Sequence, residues 1–166
     1  MDNANLNELL ANNEGRQFWI KQWGDPDRPA DFELQSTTDL EIPIDFSKQP
    51  NSIKIGDILI VHRIKLAKIM LIAEVISEPY KSTTEDIKKE SWRERWCWRV
   101  NTRNLTPIYG THWREHSLKS FALEKEYNEA NPHEKVNLGR LKFGAHVRIP
   151  EDFAKYIIKE ITELTE

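Results

Sequence analysis

Two apolar runs in the middle of the chain limit the folds that this sequence can adopt. Residues 58–64 read ILIVHRI and follow Gly56-Asp57, a dipeptide typical of a turn, and residues 69–75 read IMLIAEV and stop shortly before Pro79. Both runs predict β-strands. Because apolar residues fall on both faces of each strand, both faces must be buried. The centre of the chain therefore predicts a barrel or a sheet that is covered on both sides.

Two further strands are expected on either side of this centre. Residues 16–24, RQFWIKQWG, are rich in aromatic and β-branched residues and run into the turn-rich GDPDRP. Strand alternation places Trp19, Lys21 and Trp23 on one face. Residues 95–104 predict another strand, with Trp98 on one face and Arg99 on the other. Residues 29–50 are acidic and show no clean period, which indicates irregular structure with at most one short strand.

Helical patterns are confined to the flanks. Residues 116–130 have helical composition, with an apolar stripe that includes Leu118, Phe121 and Leu123, and a last helix is expected over residues 150–166. Residues 1–15 indicate a loosely ordered lead-in that contains a short helix over residues 6–11. The pattern predicts a single α+β domain over residues 1–166, without the alternating rhythm of a doubly wound fold.

Charge is distributed unevenly along the chain. The formal net charge is −3, yet residues 51–114 carry 12 basic and 7 acidic groups, a net of +5. A protein that binds polyanions through its whole surface is usually basic throughout, so any nucleic-acid contact is expected in this middle segment. No apolar run reaches eighteen residues, the N-terminus lacks the pattern of a signal peptide, and Cys97 is the single cysteine. These features predict a cytoplasmic protein with no membrane association.

Aromatic and basic residues are concentrated in residues 92–100, WRERWCWRV, which contain three tryptophans and three arginines. Large rings usually belong to a core. However, a dry core would not tolerate Lys21 unpaired between Trp19 and Trp23. Both interpretations stay open for Trp19 and Trp98, which form either core or the wall of a ligand cleft, whereas Trp96 is assigned to the core.

Other polar residues have two interpretations as well. Arg99 belongs to a polar stripe that either faces solvent at a strand edge or contacts phosphates. His112 and His116 have the spacing of two metal ligands on a helix, but no third ligand is evident and surface positions are favoured. Glu74 is expected to pair with a neighbouring basic residue for structural reasons. No nucleophilic triad, phosphate loop or cofactor motif is present, so no cofactor is expected.

The order of four motifs resembles that of the EVE domain, a member of the PUA-like superfamily: FWIKQWGDP, IKIGDILIVHR, IMLIAEVISEPY, and WCWRVNTR followed by LTPIYG. The resemblance covers residues 16–123. It implies a small, strongly curved β-barrel with flanking helices and a concave pocket that binds nucleic acid. In some relatives this pocket accommodates one flipped, modified base. Two features depart from the family pattern: Val61 replaces a common aromatic residue, and residues 31–45 form an acidic insert.

The resemblance also implies which residues line the pocket. By position these are Trp19, Lys21, His62, Arg63 and Trp98. Strand alternation adds Trp23, on the face of Trp19 and Lys21, and the polar stripe adds Arg99 to the candidate binding residues. The expected function is a non-enzymatic module that binds DNA or RNA through an aromatic pocket, with a modified base as one possible ligand. Two alternatives remain open: a protein-interaction subunit, and a small nucleotide-processing hydrolase that uses Glu74 or the His112/His116 pair. The pattern does not specify an oligomeric state.

Overall fold

The architecture is that of a computed structural model, which describes residues 2–12, 15–24, 37–139, 141 and 146–165. Within these residues, seven strands form one sheet and five helices flank it. The strands are β1 (Phe18–Trp23), β2 (Glu41–Phe46), β3 (Ile58–Arg63), β4 (Ile69–Val75), β5 (Tyr80–Lys81), β6 (Trp98–Asn104) and β7 (His146–Ile149). The helices are α1 (Asp2–Ala11), α2 (Thr84–Lys89), α3 (Pro107–Thr111), α4 (Ser120–Ala130) and α5 (Glu151–Thr165). A 3-10 turn over Ser91–Glu94 precedes β6.

The sheet is mixed, with the strand order β2-β6-β4-β3-β1-β7 and β5 added alongside β6. The pair β1–β3 is parallel and the other pairs are antiparallel. The register places Lys21 between Val61 on one side and His146 on the other. At the far edge of the sheet, Asp45 of β2 lies opposite Arg99 of β6.

The sheet curls until its two edge strands approach each other. Phe46 belongs to β2 and His146 belongs to β7, which stand at opposite ends of the strand order. Their ring centroids are nevertheless 5.3 Å apart, in an edge-to-face arrangement. A flat sheet could not bring these strands into contact, so the sheet forms a strongly curved barrel. The predicted α+β class and curved barrel are therefore confirmed.

The core lies between the curled sheet and the helices. Every residue of β3 is buried, and so is every residue of β4 except the partly exposed Glu74. The prediction that both faces of these strands are buried is thus confirmed. Helix α5 buries an apolar face that includes Phe153, Ile157 and Ile161. Helix α1 packs against α5 and buries Leu6 and Leu9.

Several boundaries differ from the expectation. Helix α4 begins at Ser120 rather than at residue 116, and its buried residues are Ser120, Leu123 and Tyr127, while Phe121 is exposed. The acidic segment contains a complete strand, β2, which tolerates Pro43 because it lies at an edge of the sheet. Helix α1 begins at Asp2, earlier than expected. Residues 25–29 of the turn GDPDRP and the expected bend at Gly144 lie outside the described residues. A single domain over residues 1–166 stays a prediction.

Candidate nucleic-acid interface

A buried lysine lies at one end of the barrel. Lys21 is 1% exposed, and its Nζ donates a hydrogen bond to the carbonyl oxygen of Gln22 at 2.6 Å. The ammonium also lies 4.8 Å from the centroid of the Phe46 ring and 5.8 Å from that of Trp96. Cation–π contacts at these distances are favourable, and more so when the cation is shielded from water. The lysine is therefore held between aromatic rings from separate parts of the chain.

Burial changes the protonation of this group and its neighbours. Desolvation lowers the pKa of Lys21 from 10.5 to about 7, and the Asp45 carboxylate opposes the shift. Burial also lowers the pKa of His146 to about 4, with the nearby Lys21 charge acting in the same direction. Both groups are therefore less readily protonated than they are in water, which makes His146 a neutral hydrogen-bonding ring at neutral pH.

Asp45 connects the lysine to two arginines. Its Oδ1 lies 3.1 Å from Nε of Arg99 and 3.5 Å from Nη1 of Arg93. Burial raises the pKa of Asp45, while Arg99, Arg93 and Lys21 act to lower it. Arg99 approaches from the neighbouring strand β6, and Arg93 from the 3-10 turn before it. One carboxylate thus organises basic side chains from three segments at the same end of the barrel.

Aromatic rings surround this cluster of charges. Trp19 contacts His146 edge-on, with ring centroids 5.3 Å apart, and its Nε1 donates a hydrogen bond to Asp57 Oδ2 at 3.1 Å. Trp96 is half-buried, with the Arg95 guanidinium 5.5 Å from its ring centroid. Trp96 therefore lies between the exposed Arg95 and the buried Lys21, and it can present part of its ring to solvent.

The structure brings together part of the predicted set. Trp19, Lys21 and Arg99 are connected through His146 and Asp45. Trp98 is half-buried at the start of β6, where it pairs in register with Phe46 and so lies next to the cluster. Trp23 ends β1; it is also half-buried and packs against the core.

His62 and Arg63 occupy a different position, at the end of β3. His62 is fully buried beneath α4, where its Nδ1 lies 2.7 Å from Ser120 Oγ and its Nε2 has no hydrogen-bond partner. Burial, helped by the Lys21 charge, lowers the pKa of His62 to about 4. Arg63 is 2% exposed and its Nη1 donates to the carbonyl oxygen of Ile64. The register pairs His62 with Gln22 and Arg63 with Trp23, so both residues lie close to Lys21 in the sheet, but both are buried.

Sequence reasoning missed four members of this arrangement: Asp45, Phe46, Trp96 and His146. Trp96 was expected in the core but is half-buried beside Lys21. We call this end of the barrel, where Lys21, Asp45, Phe46, Trp96 and His146 lie, the mouth. Asp45 and Phe46 end an edge strand in a segment that was expected to be irregular, although the alternation of Ile42, Ile44 and Phe46 indicates a strand.

The residues considered for catalysis are engaged elsewhere. Glu74 forms ion pairs with Arg16 and with Arg103, the latter at 2.6 Å, which confirms its expected structural pairing. His112 lies 3.2 Å from Glu115, and His116 stacks on Tyr109. In the described part of the chain, no group of three or more histidine, cysteine or carboxylate side chains is placed to hold a metal ion. Among the same residues, no helix combines the length and apolarity that crossing a membrane requires.

A shallow depression of about 370 Å³ lies at the opposite end of β1, where Arg16, Phe18 and Arg148 contribute to its walls. Phe18 begins the strand, whereas Lys21 lies three residues further along it, at the other end of the barrel. The depression therefore belongs to a different surface from the lysine cluster. The cluster is the stronger candidate because it combines burial, charge and aromatic rings.

Three solved structures share this architecture. A hypothetical protein from Leishmania major is 15% identical, with a TM-score of 0.60 over 93% of this chain and 100% of that one. Rpa0253 from Rhodopseudomonas palustris is 13% identical, with a TM-score of 0.50 over 90% and 95% of the two chains. The YTH domain of the Zygosaccharomyces rouxii MRB1 protein, solved in complex with N6-methyladenosine RNA, is 12% identical, with a TM-score of 0.50 over 90% and 88%.

These likenesses show the fold. At such low identity they do not extend to the residues of a site. No protein-family model matches the sequence, and no curated protein is similar to it in sequence.

Proposed function

We propose that this chain is a non-enzymatic nucleic-acid-binding module of the EVE type, whose pocket lies at the Lys21 end of the barrel. The observation that carries the proposal is the buried Lys21 ammonium, which is enclosed by Phe46, Trp96 and His146 from separate strands and segments. In the proposal, the exposed parts of the half-buried Trp96 and Trp98 rings stack on a base. Arg99 meets phosphate or base oxygens.

The free-energy cost of burying Lys21 supports a functional interpretation. A pKa shift from 10.5 to about 7 corresponds to roughly 5 kcal/mol of unfavourable free energy for the charged form. An aliphatic side chain of similar length would avoid this cost. Strongly perturbed groups of this kind concentrate at functional sites. Lys21 is 1% exposed, so in the proposal it acts from beneath its aromatic neighbours, and the partly exposed Trp96, Trp98 and Arg99 make the direct contacts with the ligand.

The other predicted residues have supporting roles in this proposal. Trp19 is buried in the core, at 6% exposure, so in the proposal it supports the His146 ring from the inside, held by the hydrogen bond from its indole N–H to Asp57. Trp23 continues the same strand face to the end of β1. His62 and Arg63 lie on the neighbouring strand β3, and the contact between the buried His62 ring and Ser120 holds β3 against α4.

The YTH domain gives independent support at the level of the fold, because that protein was solved with RNA carrying N6-methyladenosine. A curved barrel of this architecture can therefore bind a modified base. We extend the proposal to a modified base in RNA or DNA, with N6-methyladenine as the first ligand to test.

The experiment measures fluorescence anisotropy with labelled oligonucleotides of about nine nucleotides, a length within the usual range for single-strand binding domains. RNA and DNA are each tested unmodified and with one central N6-methyladenine. Trp98→Ala removes a half-exposed ring, and we expect roughly tenfold or greater weakening because a base–aromatic stack contributes about 1–3 kcal/mol. The probe should be recovered with unchanged mass, as expected of a binding module rather than a hydrolase.

Single-charge variants test the location of the site. Arg95 is exposed and places its guanidinium 5.5 Å from the centroid of the Trp96 ring. Arg95→Gln should weaken binding several-fold, whereas Lys159→Gln removes one exposed charge from α5, away from the pocket, and serves as the control. Equal affinities for the wild type, Arg95→Gln and Trp98→Ala would contradict the proposal.

A further inference from the structure

A second basic surface lies beside the barrel mouth, and we call it the basic rim: Lys65, Leu66, Lys68, Lys119 and Phe121. Its first three residues belong to the turn between β3 and β4, and the other two belong to the start of α4. The two parts are joined by backbone contacts, since the Ser120 amide donates to the Ala67 carbonyl oxygen and residues 68 and 119 form an isolated β-bridge. The rim is thus one continuous surface.

The rim combines positive charge with exposed apolar groups. Lys65 and Lys119 are exposed, Lys68 is half-buried, and Leu66 and Phe121 are 42% and 47% exposed. Lys68 is held in place because its Nζ donates to the Arg114 carbonyl oxygen at 2.8 Å. Lysines beside an exposed aromatic ring are the combination that binds a single-stranded nucleic acid, because the ammonium groups meet phosphates while the ring stacks on a base.

The turn holds an unfavourable backbone conformation that presents these side chains. Lys65 has φ 68° and Ala67 has φ 52°, although neither is a glycine. A left-handed conformation costs roughly 1–2 kcal/mol for a residue that carries a Cβ. The turn is fixed by hydrogen bonds from the Ala67 amide to the Arg63 carbonyl and from the Arg63 amide to the Lys68 carbonyl. This conformation places Lys65 and Leu66 on the outside of the turn.

The rim is continuous with the mouth of the barrel. The Ile64 amide, at the start of the turn, donates to the carbonyl oxygen of Trp23, the last residue of β1. Lys21 lies only two residues before Trp23, a separation of roughly 7 Å along a strand. A strand of nucleic acid that leaves a base at the mouth could therefore reach the rim within a few nucleotides.

We propose that the basic rim binds the single-stranded segment that continues from the base held at the mouth, with Lys65 and Lys119 contacting phosphates and Phe121 stacking on a neighbouring base. This inference rests on the proposed function, because it takes the mouth as the place where the strand is anchored. It adds a second contact surface and makes affinity depend on the length of the strand.

The test compares a labelled oligonucleotide of about nine nucleotides with one of about two nucleotides, both carrying the base preferred at the mouth. Lys65→Gln/Lys119→Gln removes two rim charges. Lys54→Gln/Lys159→Gln removes two exposed charges from the loop before β3 and from α5, and is the matched control. All of these side chains are exposed, so each double variant should fold, which circular dichroism verifies.

For single strands, each phosphate contact contributes about 0.7 to the slope of log K against log salt concentration. Loss of two contacts should therefore lower that slope by about 1.4, and should weaken binding of the longer probe roughly tenfold at about 150 mM salt. The shorter probe should bind the wild type and the rim variant equally. The control pair should keep the wild-type slope and affinity.

The two proposals fail in distinguishable ways. If the rim variant binds the longer probe like the wild type, or if the control pair weakens binding equally, the rim inference is wrong. If the rim variant weakens binding while Trp98→Ala and Arg95→Gln do not, the rim binds nucleic acid without the mouth and the proposed pocket is wrong. If the wild type binds no probe of either length, both proposals are wrong.

Discussion

Replacement of Lys21 by methionine tests directly whether the ammonium at the barrel mouth is buried. Methionine preserves the length of the side chain and removes its charge. In the folded protein, burial lowers the pKa of Lys21 to about 7, whereas in the unfolded chain the group returns to its ordinary value of 10.5. Between these two values the unfolded state binds a proton that the folded state has released. The free energy of unfolding must therefore rise with pH across this interval.

The size of the effect follows from the two pKa values. Below about pH 7 both states are protonated and the cost of the buried charge is fully present. From pH 7 to about pH 9.5, the wild-type free energy of unfolding should rise by roughly 3 kcal/mol because of this group alone. The range stops there because burial also raises the pKa of Tyr109 and Tyr156. Above the ordinary tyrosine pKa of 10.0, these two groups lower the free energy of unfolding as the pH rises, which would mask the effect of Lys21.

Urea denaturation followed by tryptophan fluorescence measures this dependence at several pH values for the wild type, for Lys21→Met and for Lys54→Met. Lys54 is exposed, so its variant should follow the wild-type profile. The free energy of unfolding of Lys21→Met should not rise over this pH range. The difference between this variant and the wild type should therefore shift by roughly 3 kcal/mol in favour of the wild type between pH 7 and about pH 9.5. Parallel profiles for the wild type and Lys21→Met would show that the ammonium has an ordinary pKa, which would refute the argument for a buried charged group.

Two further substitutions test contacts that support the site. Asp57→Ala removes the carboxylate that accepts hydrogen bonds from the Trp19 indole, the Gln17 side chain and two backbone amides, and should lower the free energy of unfolding by about 3 kcal/mol in urea titrations. If Asp57→Ala lowers the free energy of unfolding no more than replacement of an exposed aspartate by alanine does, the anchoring role is wrong. Gly110→Ala would place a Cβ 2.0 Å from the Thr37 carbonyl oxygen, and should cost about 1–3 kcal/mol in the same assay. An unchanged midpoint would show that the two backbones are not in close contact.

The elements that could be predicted from sequence are those defined by their own local pattern. Strands β3 and β4 are nearly continuous apolar runs, and α5 repeats its apolar residues at helical spacing. The turn at Gly56 was predicted for the same reason, and Gly56 adopts φ 93°, which favours glycine. Strand β2 was harder to predict because Pro43 and acidic residues interrupt its pattern, and it forms only by pairing with β6. Pattern alone could not reveal that partner.

The candidate site divides in the same way. Lys21 could be predicted as a site residue because a charge between two tryptophans on one strand face is unusual in a core. Arg99 could be predicted because it lies in WRERWCWRV, where aromatic and basic residues are concentrated. Asp45 and His146 gave no such signal. Their importance depends on contacts with residues far away in the sequence, which arise only after the sheet has curled. Local sequence therefore predicts the central strand of the site better than the edge strands that complete it.

Closure of the barrel and formation of the site depend on the same contacts. His146 of β7 touches both Trp19 of β1 and Phe46 of β2, and the Phe46 ring lies over the Lys21 ammonium. The rings that close the sheet are thus the rings that exclude water from the lysine. Since burial of the ammonium is unfavourable, closing the barrel at these two edges carries a free-energy cost. Substitutions that fill this region with apolar side chains should stabilise the fold and at the same time remove the group that we propose binds nucleic acid, which is the trade-off expected when a functional site is built at the expense of stability.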